Sequence, residues 1–252
     1  EAEYVSGVVT DSQGNVYFSG STLSSDFDSG TEGSWDGFIS KYDSEGNEID
    51  TVLIGTSYID EISGLDIFSD DSLYIIGLTK GSEFPDGPVL QSESFSRNAF
   101  LTKLDSSLNV TWTRIISTSE DEEALAVKVS SQGEILVTGY TEGNLMVNAG
   151  SNIGGKDVFV SKYSSSGDLI WTEQFGSDST DIGYAITTDI SQNVWITGYT
   201  SSSTFEEVTN SGEDDAFLVK LSPEGLFLSS TLLWNNEENT IASESEKAFG
   251  IA

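Results

Sequence analysis

The chain has 252 residues, no cysteine and no histidine, and 42 Asp plus Glu against 10 Lys plus Arg, for a formal net charge of −32. Without thiols or imidazoles there is no disulfide framework, thiolate metal site or histidine general base. Such a charge repels nucleic-acid phosphates and anionic lipid headgroups, and no apolar run approaches the ~18 residues of a membrane span.

Predicted strands follow one another in a fixed order. In the first repeat the turn DSQGN (Asp11 to Asn15) leads into VYFSGST, then DGFISKYD with Phe38 and Lys41, then the turn DSEGN. The second repeat runs through SDDS (Ser69 to Ser72), LYIIGLT, NAFLTKLD with Phe100 and Lys103, and DSSLN. The third shows all four strands, over Ala124 to Ser130, Ile135 to Thr141, Asp157 to Tyr163 and Leu169 to Phe175. The fourth repeats the series with DISQN, VWITGYT, DAFLVKLS (Phe217, Lys220) and SPEGL. Gly, Asn, Asp and Ser clusters between runs rich in β-branched and aromatic residues specify tight hairpins. The aromatic recurs at steps of 62, 59 and 58 residues, a period of repeat arrays.

Four antiparallel strands per repeat, with no helical periodicity, describe blades of a β-propeller, an all-β fold that hides its sheet edges by radial repetition. The blades fall at 3–59, 60–121, 122–180 and 181–240, and 241–252 opens a further one. Four blades and one strand make a poor closed ring, so the expectation is a segment of a propeller of six to eight blades. The second strands each carry a glycine, at Gly20, Gly77, Gly139 and Gly198, which is expected to mark crowding between neighbouring sheets.

The segments DSQGNVYFSGST, DAFLVKLS and SSSGDLIWTEQFGSDSTDIGYAI resemble the β-propeller repeats called SBBP, and the likeness extends from Tyr4 to Ala252. Those repeats occur mainly in large bacterial surface and secreted proteins. The resemblance therefore implies a propeller and an extracellular or cell-surface setting, but no single activity.

Aligning Val8, Leu65, Val127, Ile186 and Ile251 places a carboxylate five residues earlier each time, at Glu3, Asp60, Glu122, Asp181 and Glu246. These lie where the chain passes from an outer strand to the next innermost one, at one mouth of the central channel. Two roles fit: local acceptors that hold each crossover, or a ring of charge binding Ca²⁺, the one cofactor the composition suggests. The long connections, about 26–35, 80–97, 142–156 and 201–214, emerge on the same face and vary in composition, as binding loops do. Phe27, Trp35, Phe84, Phe95 and Phe205 lie in them, either as ligand contacts or as packing for the loops.

Lys41, Lys103, Lys162 and Lys220 fill one slot of every third strand, which suits a built-in ion pair near the opposite face with acids such as Asp11 or Asp189. Trp112, Trp171 and Trp195 fit the core. The favoured function is a non-catalytic binding or scaffold module that recognises a protein or a glycan. Partners also include other blades or modules of a longer chain, or a second copy completing the ring. The alternatives are a purely architectural spacer, or a carboxylate-based glycan hydrolase or lyase using Glu123, Asp178 or Glu61 beside the channel-mouth acids. Self-repulsion among so many carboxylates is screened by salt. The melting temperature is therefore expected to rise as NaCl is raised from low to molar concentration; a fall would contradict adaptation to a saline setting.

Overall fold

The computed structural model describes residues 3–23, 35–81, 96–146, 154–205, 208–209, 214–233 and 247–251. The first sheet holds β1 (Glu3–Thr10), β2 (Val16–Thr22), β3 (Asp36–Tyr42) and β4 (Glu48–Ile54). The second holds β5 (Asp60–Ile67), β6 (Leu73–Thr79), β7 (Asn98–Leu104) and β8 (Val110–Ile116). The third holds β9 (Glu122–Val129), β10 (Ile135–Thr141), β11 (Asp157–Tyr163) and β12 (Leu169–Phe175). In the fourth, β13 (Asp181–Thr188) and β14 (Val194–Thr200) precede a two-residue pair, β15 (Thr204–Phe205) and β16 (Val208–Thr209), and then β17 (Asp215–Leu221) and β18 (Phe227–Leu232). Each four-stranded sheet is an antiparallel meander in chain order. Four antiparallel strands per repeat form one sheet each, as predicted.

Local chemistry sets the hairpins. Asp11 Oδ1 accepts the N–H groups of Gln13 and Asn15, at 2.9 and 2.8 Å, and Oδ2 accepts the Asn15 amide. Asp43, Asp105 and Asp189 repeat that arrangement with Asn47, Asn109 and Asn193. Gly14 and Gly46, both at φ 85°, supply the left-handed residue the turn requires. These Asn partners hold Asp43, Asp105 and Asp189 below the usual carboxylate range.

The central strands are buried on both faces because each sheet is sandwiched between its neighbours. Every residue of β6 and of β10 is buried. In β6, Leu73 and Ile75 pack back against Ile39, Ile54 and Ile62, while Tyr74 and Ile76 pack forward against Ile135, Val137 and Phe159. In β10, Leu136 turns forward to join Val158, Val160, Ile196 and Phe217. A strand read by two cores in alternation cannot slip by one residue without exchanging them.

The innermost strands β1, β5, β9 and β13 adjoin in sequence. A β-carbon at Gly7 would stand 3.0 Å from that of Leu65. No comparable packing joins β13 to β1. The four sheets form an open arc, and Tyr4, Val5 and Val8 of β1 are each about two-thirds exposed where the inner residues of later blades are covered. Residues 247–251 are not in a strand, but Phe249 packs on Tyr184 of β13, with ring centres 4.9 Å apart.

The strand glycines have a different cause from the one expected. Gly20, Gly77, Gly139 and Gly198 each face a bulge in the first strand of their own sheet. The bulge aims a carbonyl, from Tyr4, Glu61, Glu123 or Ile182, into the space a β-carbon would fill. Each also pairs with the repeated phenylalanine: Gly20 with Phe38, Gly77 with Phe100, Gly139 with Phe159 and Gly198 with Phe217. The crowding is within a blade, not between blades. Gly139→Ala is thus expected to cost roughly 3 kcal/mol by urea denaturation, as overpacking does. Gly46→Ala, with open space around it but φ 85°, should cost about 1 kcal/mol. Equal losses would refute the notch.

Candidate functional site

The acids expected at the crossovers are placed at the first residue of each inner strand. Asp60, Glu122 and Asp181 have no exposed surface at all. Asp60 Oδ2 accepts the N–H and hydroxyl of Thr56 at 2.6 and 2.8 Å. Glu122 accepts both groups of Thr118 at 2.7 and 2.6 Å and the Thr141 hydroxyl at 2.8 Å. Asp181 accepts both groups of Ser177 at 2.7 and 2.6 Å. Burial pushes all three carboxyls up, and these hydrogen bonds oppose the shift. Glu3 is exposed on β1, and Glu246 lies outside the described residues.

The three buried acids are therefore acceptors for their own crossovers. Among the described residues no group of three or more acids gathers that could hold a metal ion. Thr56 and Ser177, four positions earlier, donate to one oxygen of Asp60 and of Asp181, and Thr118 and Thr141 donate to Glu122.

The same three residues also anchor the loop face. The backbone N–H of Asp60 donates to Trp35 O, that of Glu122 to Arg97 O, and that of Asp181 to Lys156 O, at 2.8, 2.9 and 2.7 Å. Trp35, Arg97 and Lys156 are the last residues of their long connections before the third strands, and Asp214 holds the equivalent place in the fourth blade. The same anchor thus fixes three positions whose side chains all differ.

Around these positions the side chains converge. Arg97 Nη1 lies 3.7 Å from Glu123 Oε2, across the boundary between the second and third blades. The Tyr140 hydroxyl donates to the same Glu123 oxygen at 3.0 Å. Lys156 Nζ stands 3.7 Å above the centre of the Tyr140 ring. One blade on, the polarity reverses: Lys247 pairs with Asp214 at 3.1 Å and stands 4.0 Å above the Tyr199 ring. Tyr184 stacks beside Tyr199, with ring centres 5.9 Å apart. In the first blade Trp35 stacks on Tyr4 at 4.9 Å.

Burial pushes the Glu123 carboxyl up, while the Tyr140 hydroxyl and the Arg97 charge pull it back. Burial and then Glu123 push the Tyr140 hydroxyl up, so it remains a proton donor. Glu61 is close enough for its charge to act on Glu123. Asp178, the third acid considered for catalysis, is exposed and accepts the Ser202 hydroxyl at 3.0 Å instead. Chemically, the cluster offers a fixed carboxylate acceptor, two cations held on aromatic or carboxylate partners, and tyrosine faces. It can bind hydroxyls, amides and rings.

Of the loop aromatics, Phe205 is fully buried against Phe217 and Phe175 and packs its loop down, whereas Phe27, Phe84 and Phe95 lie outside the described residues. The third-strand lysines are structural. Lys220 pairs with Asp189 at 3.5 Å, as expected, and lies over the Trp195 ring. Lys162 pairs with Glu134 and reaches Pro223 O in the next blade, and Lys41 reaches Ser106 O in the next blade while lying over Tyr17. At Asp11 the Tyr17 hydroxyl takes the place expected for the lysine, at 3.2 Å. Trp112 and Trp171 pack against the blade cores.

Sequence reasoning placed Glu123 only beside a possible acid pair and gave Arg97, Tyr140 and Lys156 no shared role. One signal was present: Arg97 and Lys156, both among ten basic residues, occupy the same position relative to the third strand.

Residues 170–206 match the family model of the SBBP beta-propeller repeat, over a stretch running from β12 through β15. No curated protein matches the chain. A solved structure of a protein of unknown function from Bacteroides caccae is 8% identical and aligns over 92% of this chain and 82% of that one, with a TM-score of 0.47. The four sheets are propeller blades, and the chain carries the SBBP beta-propeller repeat.

Proposed function

We propose that this propeller module is a non-catalytic binding element of a bacterial surface or secreted protein, and that it recognises a protein or glycan through its loop face. One observation carries the reading. Trp35, Arg97 and Lys156, which differ from blade to blade, are held by the same backbone anchor at three successive crossovers, and Glu123 and Tyr140 converge on Arg97 and Lys156. Variable chemistry on an invariant frame is the arrangement of a recognition surface. The asymmetry matters, because a spacer has no use for an ion pair whose polarity is reversed two boundaries on.

The open arc accords with further blades or modules beside the bare face of β1. Asp60, Glu122 and Asp181 serve in this reading as acceptors for their own crossovers, and calcium assistance at these acids is tested by the effect of CaCl₂ on ligand affinity. A catalytic reading has one observation in its favour, the burial of Glu123 beside Glu61, and glycan cleavage by that pair is its test.

Screening the chain against arrayed glycans and surface-protein extracts identifies the ligand class. Glu123→Gln and Lys156→Ala are each expected to weaken binding roughly tenfold, the loss of one hydrogen bond to a charged group. Melting temperature should hardly change. Unaltered affinity in both variants would refute the site, turnover lost in Glu123→Gln would favour the enzyme, and no ligand in either screen would favour the spacer.

A further inference from the structure

The boundary between the first and second blades buries two carboxyl groups against one glycine. A β-carbon at Gly55 would lie 2.8 Å from Asp36 Oδ1 and 3.0 Å from Asp60 Oδ2. Asp36 is 6% exposed and Asp60 not at all. Thr56 occupies Asp60 Oδ2, yet Asp60 Oδ1 and Asp36 Oδ2 are both buried without a hydrogen-bond partner. Among the described residues no lysine or arginine comes within ion-pair distance of either. Two adjacent desolvated anions with unmet oxygens are costly, and a single proton relieves both defects.

The boundary between the third and fourth blades is built alike. A β-carbon at Gly176 would lie 2.6 Å from Asp157 Oδ1 and 2.9 Å from Asp181 Oδ2, and Asp181 Oδ1 is buried without a partner. The middle boundary supplies an internal comparison. There Asn98 stands where the others have aspartate, Ser117 stands where they have glycine, and the opposing Glu122 is satisfied through both oxygens by Thr118 and Thr141. Where the chain places a neutral amide, the remaining acid has no unmet oxygen.

We propose that Asp36 with Asp60, and Asp157 with Asp181, are proton-binding joints: each pair takes up one shared proton in mildly acidic solution, and the blade boundary tightens as it does so. At the first joint the proton bonds to one of the two unpartnered oxygens, Asp36 Oδ2 or Asp60 Oδ1, and removes one of the two facing charges. The proton comes from water, and no other bond changes. Burial and then the Asp60 charge push the Asp36 carboxyl up to about 6, and burial pushes Asp60 and Asp181 up.

Asp60 is the charge that faces Asp36. Thr22 on β2, Thr56 after β4 and Thr79 on β6 are neutral. Around Asp181 the facing charge is Asp157, with neutral Ser177, Thr200 and Gln174 beside the pair. Because the folded carboxyl binds its proton more tightly than the unfolded one, whose ordinary value is 3.8, the stabilisation is complete below 3.8 and is lost as pH rises through about 6.

The experiment is thermal unfolding of the 252-residue chain from pH 4.5 to 8, for wild type, Asp36→Asn and Asn98→Asp, with difference infrared spectra over the same range. Wild type is expected to melt on the order of 5 °C higher at pH 5 than at pH 8. Asp36→Asn should lose a clear share of that difference, melt above wild type at pH 8, and lack part of the protonated-carboxyl absorption that wild type gains on acidification. Asn98→Asp should add a third acid pair and steepen the dependence. The surface charge is nearly common to all three proteins and largely cancels in the comparison. Should Asp36→Asn fail to fold, Asn98→Asp with the infrared signal decides alone. Equal pH dependence in wild type and Asn98→Asp, or no protonated-carboxyl signal, would overturn the proposal. So would CaCl₂ at pH 8 raising the melting temperature of wild type but not of Asp36→Asn, since a cation and not a proton would then fill the joint.

Discussion

The structure depends on how the chain leaves one blade and enters the next. A meander of four strands returns its outer strand at the rim, and the following strand must begin at the axis, so the crossover has to carry the backbone inward without losing hydrogen bonds. Asp60, Glu122 and Asp181 solve this with a side chain that caps the incoming turn and an N–H that binds the end of the preceding long loop. One residue per boundary thus sets the angle between blades and the position of the loop face together. An amide substituted for such an acceptor would present a donor where a donor already sits, which makes the position chemically narrow even though it touches no ligand.

Rigidity within a blade comes from a second repeated device. The bulge in each first strand turns a carbonyl toward the second strand, the glycine makes room for it, and the third-strand phenylalanine lies over that glycine. None of the three works alone: without the glycine the carbonyl has no space, and without the phenylalanine the glycine leaves a void. Because the notch glycine is its immediate neighbour, the penultimate residue of the second strand projects from a firm base. Tyr140 and Tyr199 occupy that position and carry the aromatic part of the candidate site. Packing that would be needed for the fold alone thereby fixes the geometry of the candidate site.

Much of this was legible in the residues. Asp-x-x-Gly-Asn turns bounding runs of β-branched residues specify hairpins by local chemistry, and the spacing of Phe38, Phe100, Phe159 and Phe217 reports an array. What could not be read depends on contacts between distant segments. The strand glycines were visible, yet the bulges they accommodate leave no compositional trace, so the crowding was assigned to the wrong neighbour. The register acids were visible as well, but a carboxylate on a solvated rim and one sealed behind a threonine are spelled alike. The pairing of Arg97 with Glu123 crosses a blade boundary and reverses sign at Asp214 and Lys247, so no repeat alignment would present it as a conserved column.

The two populations of carboxylates show why net charge alone is a poor guide to this protein. Asp43, Asp105 and Asp189 sit in open turns, where several donors stabilise the anion and hold each group well ionised. Asp36, Asp60 and Asp181 are shifted the other way, because desolvation outweighs the donors they have. Salt acts mainly on the first kind, through screening of exposed charge, and barely reaches the second. Acid acts on the second kind first, since those groups accept protons while the turn acids are still fully charged. The chain can therefore answer a change of salt at its surface and a change of pH at its joints by separate means. Since Asp60 and Asp181 also hold the ends of two long connections through their N–H groups, loosening at these joints acts on Trp35 and Lys156.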